Sequence, residues 1–263
     1  ILDPQSKLAK YINSSTSIVY QKDNEFYAGP GSIQAIRKTK KTVIVEGYFD
    51  LISLYQKGIT NVLASCGTAL TATHARPTHV RNLKRIAKEV IIFYDNDNAG
   101  LQATKTAGEL CLKEGLTVKI CTISKEKDPD EFCQRHSSVE VQQVIDNSVS
   151  FIEFIILEEK QKLQSASSKN PIEDKVSSAR KIVKYIAFVQ DNTEKNEWIR
   201  FTSRELQIPE DDLRMMLSAN QQPKENLKKP NSEQNITDYY RPELTFIILI
   251  ILNPRLLERF KEK

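Results

Sequence analysis

Carboxylates in this chain recur directly behind short apolar runs. Val43-Ile44-Val45 leads into Glu46-Gly47-Tyr48-Phe49-Asp50, and Val90-Ile91-Ile92-Phe93-Tyr94 leads into Asp95-Asn96-Asp97. Leu116-Thr117-Val118-Lys119-Ile120 is followed at short distance by Asp128-Pro129-Asp130. Carboxylates gathered in one crevice repel one another, by roughly 1 to 4 kcal/mol per pair at about 4 Å. A cation among them removes that cost. Hard oxygen donors without thiolate or imidazole neighbours suit Mg²⁺ or Mn²⁺, and zinc is not expected in this segment. Asp95 and Asp97 are two apart in an extended turn, so both side chains can lean the same way. Such a pair can hold one ion, or share two ions about 3.5–4 Å apart as in-line phosphoryl displacement requires.

These acids need a scaffold that brings three chain segments together. The apolar runs are too short for helices and are separated by helix-like stretches, which predicts buried strands of a parallel sheet. Ligands of such sheets bind beyond the carboxyl ends of the strands, where the acids fall. Strands are expected at 43–45, 61–65, 90–94 and 117–123, with possible short ones at Ser17–Tyr20 and Glu25–Ala28. Intervening helices are expected from about Asp50 to Lys57, closed by Gly58, from about Thr73 to Lys88, and from Ala99 to Lys113 before Gly115. Pro77 must sit in the first turn of the second of these or break it. From 140 to 220 only helical patterns appear, with Val144, Ile145, Phe151, Ile152, Phe154, Ile155 and Ile156 opening one apolar face. That stretch predicts a small helical bundle. Residues 221–240 are polar and contain proline, as a linker would.

Each motif also has a plain structural reading. Asp97 or Asn98 taken alone is a helix N-cap; beside Glu46 the pair reads as metal ligands. Asp50 can cap its helix or serve the metal, and both readings stand. Asp128-Pro129-Asp130 taken alone is an ordinary turn, its proline holding Asp128 extended. Thr68 and Thr71 suit a helix cap or a phosphate contact. His74, His79 and His136 show no ligand spacing and read as structural or surface residues. A nucleophilic Ser–His–Asp arrangement and a Gly-rich phosphate loop have no support.

With 40% hydrophobic and 27% charged residues in 263, the composition is that of an ordinary globular chain with ample core. The net charge of +4 is mild, so its distribution matters more. Basic residues cluster at Arg37-Lys38-Thr39-Lys40-Lys41. Arg81, Lys84, Arg85 and Lys88 form a helical stripe opposite Val80, Leu83 and Ile86. A solvated face and a phosphate-binding face are both open readings. The four cysteines form no CxxC pair and suit reduced thiols, hence a cytoplasmic protein. The N-terminus shows neither a secretory leader nor an initiator Met, so a fragment or a processed product is expected. The apolar run Phe246–Leu252 is far short of the ~20 residues that span a bilayer, and no membrane association is expected.

The stretches "VIVEGYFDLISLYQKGITNVLASCGTALT", "VIIFYDNDNAGLQAT" and "KDPDEF" resemble the TOPRIM segment of bacterial DnaG-type replicative primases. Upstream, "AKYINS" and "YQKDNEFYAG" are similar to the end of that family's N-terminal subdomain. The resemblance implies an α/β TOPRIM core, a mostly parallel sheet flanked by helices, followed by an all-α helical bundle. It divides the chain into the end of the N-terminal subdomain (1–40), the TOPRIM subdomain (41–135), the bundle (140–220), the linker (221–240) and the start of a helicase-interaction domain (241–263). It further implies synthesis of short RNA primers on single-stranded DNA from nucleoside triphosphates, at the replication fork. Glu46, Asp95 and Asp97 would be catalytic and hold two Mg²⁺ or Mn²⁺ ions, with Asp128, Asp130 and Asp50 completing the acidic set. Lys10, Asn13 and Lys22 would bind nucleotide or template phosphates. A DnaB-type helicase would engage the C-terminal region.

Three departures stand out. Asp95-Asn96-Asp97 replaces the family's usual Asp-Gly-Asp, and asparagine tolerates the left-handed backbone that such a turn can demand. Cys66 stands where an aliphatic residue is usual. The family's zinc-binding module is absent from this stretch. Rival readings are another TOPRIM phosphotransferase or nuclease, and a non-catalytic module that binds single-stranded DNA or a helicase.

Overall fold

Val43–Val45, Val62–Leu63 and Val90–Ile92 are apolar at every position because helices cover both faces of the sheet they build. The structure, a computed structural model, describes residues 25–66, 70, 79–165 and 170–221. Among them six strands form one sheet in the order β1-β3-β2-β4-β5-β6. The four inner strands, β2 (Lys41–Val45), β3 (Val62–Ala64), β4 (Glu89–Ile92) and β5 (Thr117–Ile120), are parallel. The edge strands β1 (Tyr27–Ala28) and β6 (Val149–Ser150) run antiparallel. The chain passes from β2 outward to β3, then crosses back to β4 on the other side of β2. The β2/β4 boundary is therefore a topological switch point, the place where such sheets open a crevice at their carboxyl ends.

Alternate strand residues divide between two cores, as the two-residue period of a strand requires. Val43, Val45, Ile91 and Phe93 pack with helices α2 (Tyr48–Gln56), α5 (Pro129–Arg135) and α6 (Ser138–Asp146). Ile44, Leu63, Val90, Ile92, Val118 and Ile120 face α1 (Ser32–Thr39), α3 (His79–Ile86) and α4 (Asn98–Lys113). The same cluster continues into α7 (Phe151–Ser165), α8 (Pro171–Ile186), α9 (Asn192–Leu206) and α10 (Glu210–Gln221) through Ile156, Ile182, Ile199 and Leu213.

Several sequence-based expectations need correction. Residues 140–220 are not helical throughout. The apolar stretch expected as one helical face is split into α6, β6 and α7, because Val149 pairs with Ile120 and Ser150 with Lys119. A two-residue edge strand is too short to leave a periodic signal. Helices α7–α10 share the core of the sheet: Phe151, only 1% exposed, lies against Gly108 of α4, where a Cβ atom would come within 2.4 Å of its ring. Helix α1 was also unanticipated. It reaches β2 through Lys40, which takes a left-handed conformation (φ 58°) and donates its N–H to the Ile36 carbonyl. The second helix begins at Tyr48, so Asp50 lies inside its first turn. Gly58 and Gly115 do adopt the positive φ (95° and 79°) that ends α2 and α4. The regions 1–24 and 222–263, including the helicase-interaction segment, the strand at 17–20 and the expected linker apart from Gln221, which ends α10, lie outside the described residues.

Candidate active site

Three neighbouring strands deliver the acids to one end of the sheet. Glu46 follows β2, Asp95 follows β4, and Asp128 lies in the loop after β5. At each of these junctions a helix begins, so α2, α4 and α5 all direct the partial positive charge of their N-termini toward the same crevice.

Local structure fixes each acid differently. Asp97 is the N-cap of α4 and accepts the Gly100 N–H through Oδ1 at 2.7 Å. Asp128 is the N-cap of α5, its Oδ1 accepting the Glu131 N–H at 2.8 Å, with Pro129 as the first helical residue. Both caps leave the carboxylates at the mouth of the crevice. Asp50, 7% exposed, accepts the Gly47 N–H at 2.9 Å through Oδ2 and the Asp130 N–H at 3.1 Å through Oδ1. Asp130 in turn accepts the Ser53 hydroxyl at 2.5 Å. Asp50 and Asp130 thus clasp the start of α2 to the start of α5.

Glu46 and Asp95 are arranged otherwise. Glu46 is half-buried, and its Oε1 is buried without a hydrogen-bond partner. Burial raises its pKa, opposed by the Asp95 backbone N–H and reinforced by the charges of Asp50 and Asp97. Asp95 is pushed up to about 6, first by burial and then by Glu46, Asp128 and Asp97, with Lys127 opposing. Asp50 is also raised to about 6, by burial and by the charge of Asp95. Five carboxylates therefore share one electrostatic neighbourhood.

Among the described residues no three histidine, cysteine or acidic side chains are grouped so as to hold a metal ion by themselves. The residues nevertheless fit a hard divalent cation. An orphaned buried carboxylate oxygen, all-oxygen donors and mutual repulsion are what such an ion relieves. Mg²⁺ characteristically takes one or two protein carboxylates and completes its shell with water and substrate phosphates.

The left-handed backbone that asparagine tolerates is not used at Asn96; among the described residues only Lys40, Cys66 and Gln207 adopt it without being glycine. Instead its N–H donates to the Lys127 carbonyl at 2.8 Å and its Nδ2 to the Glu126 carbonyl at 3.4 Å. The backbone bond straps the β4 turn to the loop carrying Asp128 and would survive with glycine; the longer Nδ2 bond is what asparagine adds. Gly100 was also missed. A Cβ there would come within 2.1 Å of the Asp95 carbonyl oxygen, so the first turn of α4 can approach Asp95 only without a side chain. The available signal was a glycine where a better helix former would otherwise serve. Cys66 (φ 53°) donates its N–H to the Glu46 carbonyl at 2.8 Å and so borders the crevice. His136 stacks on Phe132 at 4.2 Å and faces Glu126, while buried His79 meets the Glu25 carbonyl at 3.1 Å, both structural roles. Lys10, Asn13, Lys22, Thr68, Thr71 and His74 lie outside the described residues.

Residues 43–133 match the Toprim-like family model. The DNA primase of Clostridium acetobutylicum is 33% identical over 235 residues, covering 86% of this chain and 36% of that protein. The DNA primase of Aquifex aeolicus is 31% identical over 221 residues, covering 84% and 41%. The chain thus spans well under half the length of these curated relatives. Among solved structures, the zinc-binding and RNA polymerase domains of the Aquifex aeolicus primase align at a TM-score of 0.63 and 30% identity, over 80% of this chain and 48% of that one. A DnaG catalytic core aligns at 0.63 and 22% identity, over 81% and 66%, a likeness of fold.

Proposed function

We propose that this chain, which belongs to the bacterial DNA primase family, carries the metal-binding half of a nucleotidyl-transfer site that makes RNA primers. The observation that carries this reading is the orphaned Glu46 oxygen at the end of β2, beside Asp95 at the end of the adjacent β4. Glu46 and Asp95 would hold one Mg²⁺ or Mn²⁺ ion, and Asp97 would contribute to a second. Asp128 would meet the ions or their water shell from the third loop. When bound, such ions neutralise triphosphate charge and lower the pKa of a coordinated hydroxyl.

The chain's own residues supply positioning. Asp50, Asp130 and Ser53 hold α2 against α5, so that the loops bearing Glu46 and Asp128 keep a fixed separation. The N-termini of α2, α4 and α5 add favourable potential for phosphate. Lys10, Asn13 and Lys22 would bind nucleotide or template phosphates from the preceding segment. Single-stranded DNA, nucleoside triphosphates and the growing RNA primer are the corresponding ligands. A DnaB-type helicase would be engaged through the region C-terminal to α10. Among the described residues no helix is long and apolar enough to cross a membrane; replication in the cytoplasm is the proposed setting.

Calorimetric titration with Mn²⁺ tests this reading in wild type, Asp95→Asn and Asp128→Asn. Saturable binding that Asp95→Asn abolishes and Asp128→Asn weakens is expected. Binding indifferent to Asp95 would remove the proposed site. Incorporation of labelled nucleotide on a single-stranded template, against shortening of that template, separates a primase from a nuclease.

A further inference from the structure

The amino end of the sheet carries the opposite charge. From Phe26 to Val45 and from Leu51 to Lys88 the sequence contains no aspartate or glutamate. Arg37, Lys38, Lys40 and Lys41 lie at the end of α1 and the start of β2, all exposed. Arg81, Lys84, Arg85 and Lys88 lie on α3 and just after it, also exposed. The fold joins these groups directly: the Lys40 carbonyl accepts the N–H of Lys88 at 2.7 Å and of Glu89 at 3.1 Å.

Two carboxylates offset part of this charge. Glu89 pairs with Lys41 at 3.2 Å and Lys119 at 3.6 Å, and Glu114 approaches Arg81 at 4.0 Å. Arg37, Lys38, Lys40, Lys84, Arg85 and Lys88 make no ion pair among the described residues. Cations at helix C-termini are favoured by the helix dipole. That effect fades within the last turn, and it accounts neither for Lys40 and Lys88 beyond the helices nor for the lack of interspersed acids.

The geometry points to a second, sequence-independent nucleic-acid surface here, one that binds the phosphate backbone of a double helix. This surface is separate from the acidic crevice and does not depend on the metal reading. The two are divided by β2, a strand of five residues, about 16 Å long at roughly 3.3 Å per residue. No Phe, Tyr or Trp occurs from 28 to 47 or from 56 to 92, so the two basic segments carry no aromatic platform of their own for unpaired bases. Without stacking, a single strand gains only phosphate contacts. A duplex presents twice the charge per unit length and is the better partner.

Binding of a labelled duplex of about 20 base pairs, followed by anisotropy across a salt series in EDTA, tests this surface with no metal in the crevice. The triple variant Lys84→Gln/Arg85→Gln/Lys88→Gln is compared with Lys175→Gln/Lys181→Gln/Lys195→Gln, which removes equal charge from α8 and α9. The slope of log K against log salt is expected to fall by about 2 to 3 in the first variant and to change little in the second. Affinity near 50 mM salt should drop at least about tenfold in the first alone. Equal losses in both variants would reduce the effect to net charge and overturn the assignment. So would an unchanged slope, tighter binding of a single strand of the same length, or preferential binding of a polyglutamate peptide that needs the same three residues.

Discussion

The two ends of one parallel sheet differ in charge and, more tellingly, in solvation. At the carboxyl end, α2, α4 and α5 begin, and five acids gather about their N-termini. At the amino end, α1 and α3 finish, and eight basic residues surround their C-termini. The helix dipoles, whose direction a parallel α/β topology fixes, favour the sign of charge at each end, although they do not reach Lys40 and Lys88 beyond the helices. Burial separates them. The basic side chains are exposed, and their repulsion is screened over about 10 Å at ordinary ionic strength. Asp50 is buried and Asp95 and Glu46 are half-buried, so desolvation first and mutual repulsion second raise their pKa values. One end is a solvated surface for a polyanion; the other is a partly desolvated crevice that a small cation would complete.

The strongest test of this contrast is Asp95→Asn. Primer synthesis by a protein containing this segment should fall by roughly two to three orders of magnitude, measured as nucleotide incorporated at saturating Mg²⁺. Duplex binding in EDTA should stay unchanged, whereas a parallel loss would show the two ends to be one site.

Gly100→Ala comes next. Its Cβ would displace the Asp95 carbonyl, and overpacking of this kind typically costs about 1–3 kcal/mol. Chemical denaturation should show that loss, with weaker Mn²⁺ binding in the fraction that remains folded. Gly108→Ala, which would press on the Phe151 ring, should lower stability comparably and leave Mn²⁺ affinity intact.

A smaller effect concerns pH. Asp95 has its folded pKa raised from 3.8 to about 6. Its neutral form is thus favoured by folding, and that stabilisation, complete below about pH 4, is lost as pH rises through 6. In EDTA, wild type should therefore lose stability relative to Asp95→Asn between pH 4 and 7, by about 1 kcal/mol after solvent screening. Saturating Mn²⁺ at pH 7 should reverse the order, because an ion favours the ionised carboxylate. An Asp95→Asn difference that is flat with pH would mean that the acid is not desolvated as described. The smallest effect belongs to the other end: Lys84→Gln/Arg85→Gln/Lys88→Gln should change stability by less than about 0.5 kcal/mol per substitution, since exposed groups without ion pairs give up little.

The inner strands were legible because burial on both faces writes uninterrupted Val and Ile runs into the sequence. Helix ends at Gly58 and Gly115 were legible because left-handed caps favour glycine. The short β6 and the packing of α7–α10 on the sheet were not. A two-residue strand has no period, and an amphipathic face does not name the surface that covers it. At the candidate site the acids could be picked out by type and position, whereas their division of labour could not. Asp50 sits four residues from Glu46, yet it clasps Asp130, eighty positions away.

The sequence by itself determined the sheet's inner strands, the chemical character of the acids and the absence of negative charge from two long stretches. These are properties of composition and local pattern. Tertiary structure decided that β4 returns beside β2, so that Glu46 and Asp95 become neighbours at a switch point. It also decided that Asn96 straps two loops, that Gly100 admits α4 against Asp95, and that the two basic clusters meet through the Lys40 carbonyl. Each of these depends on a contact between segments distant along the chain or on a clearance of a few ångströms, and close packing sets such distances only once the whole sheet has formed.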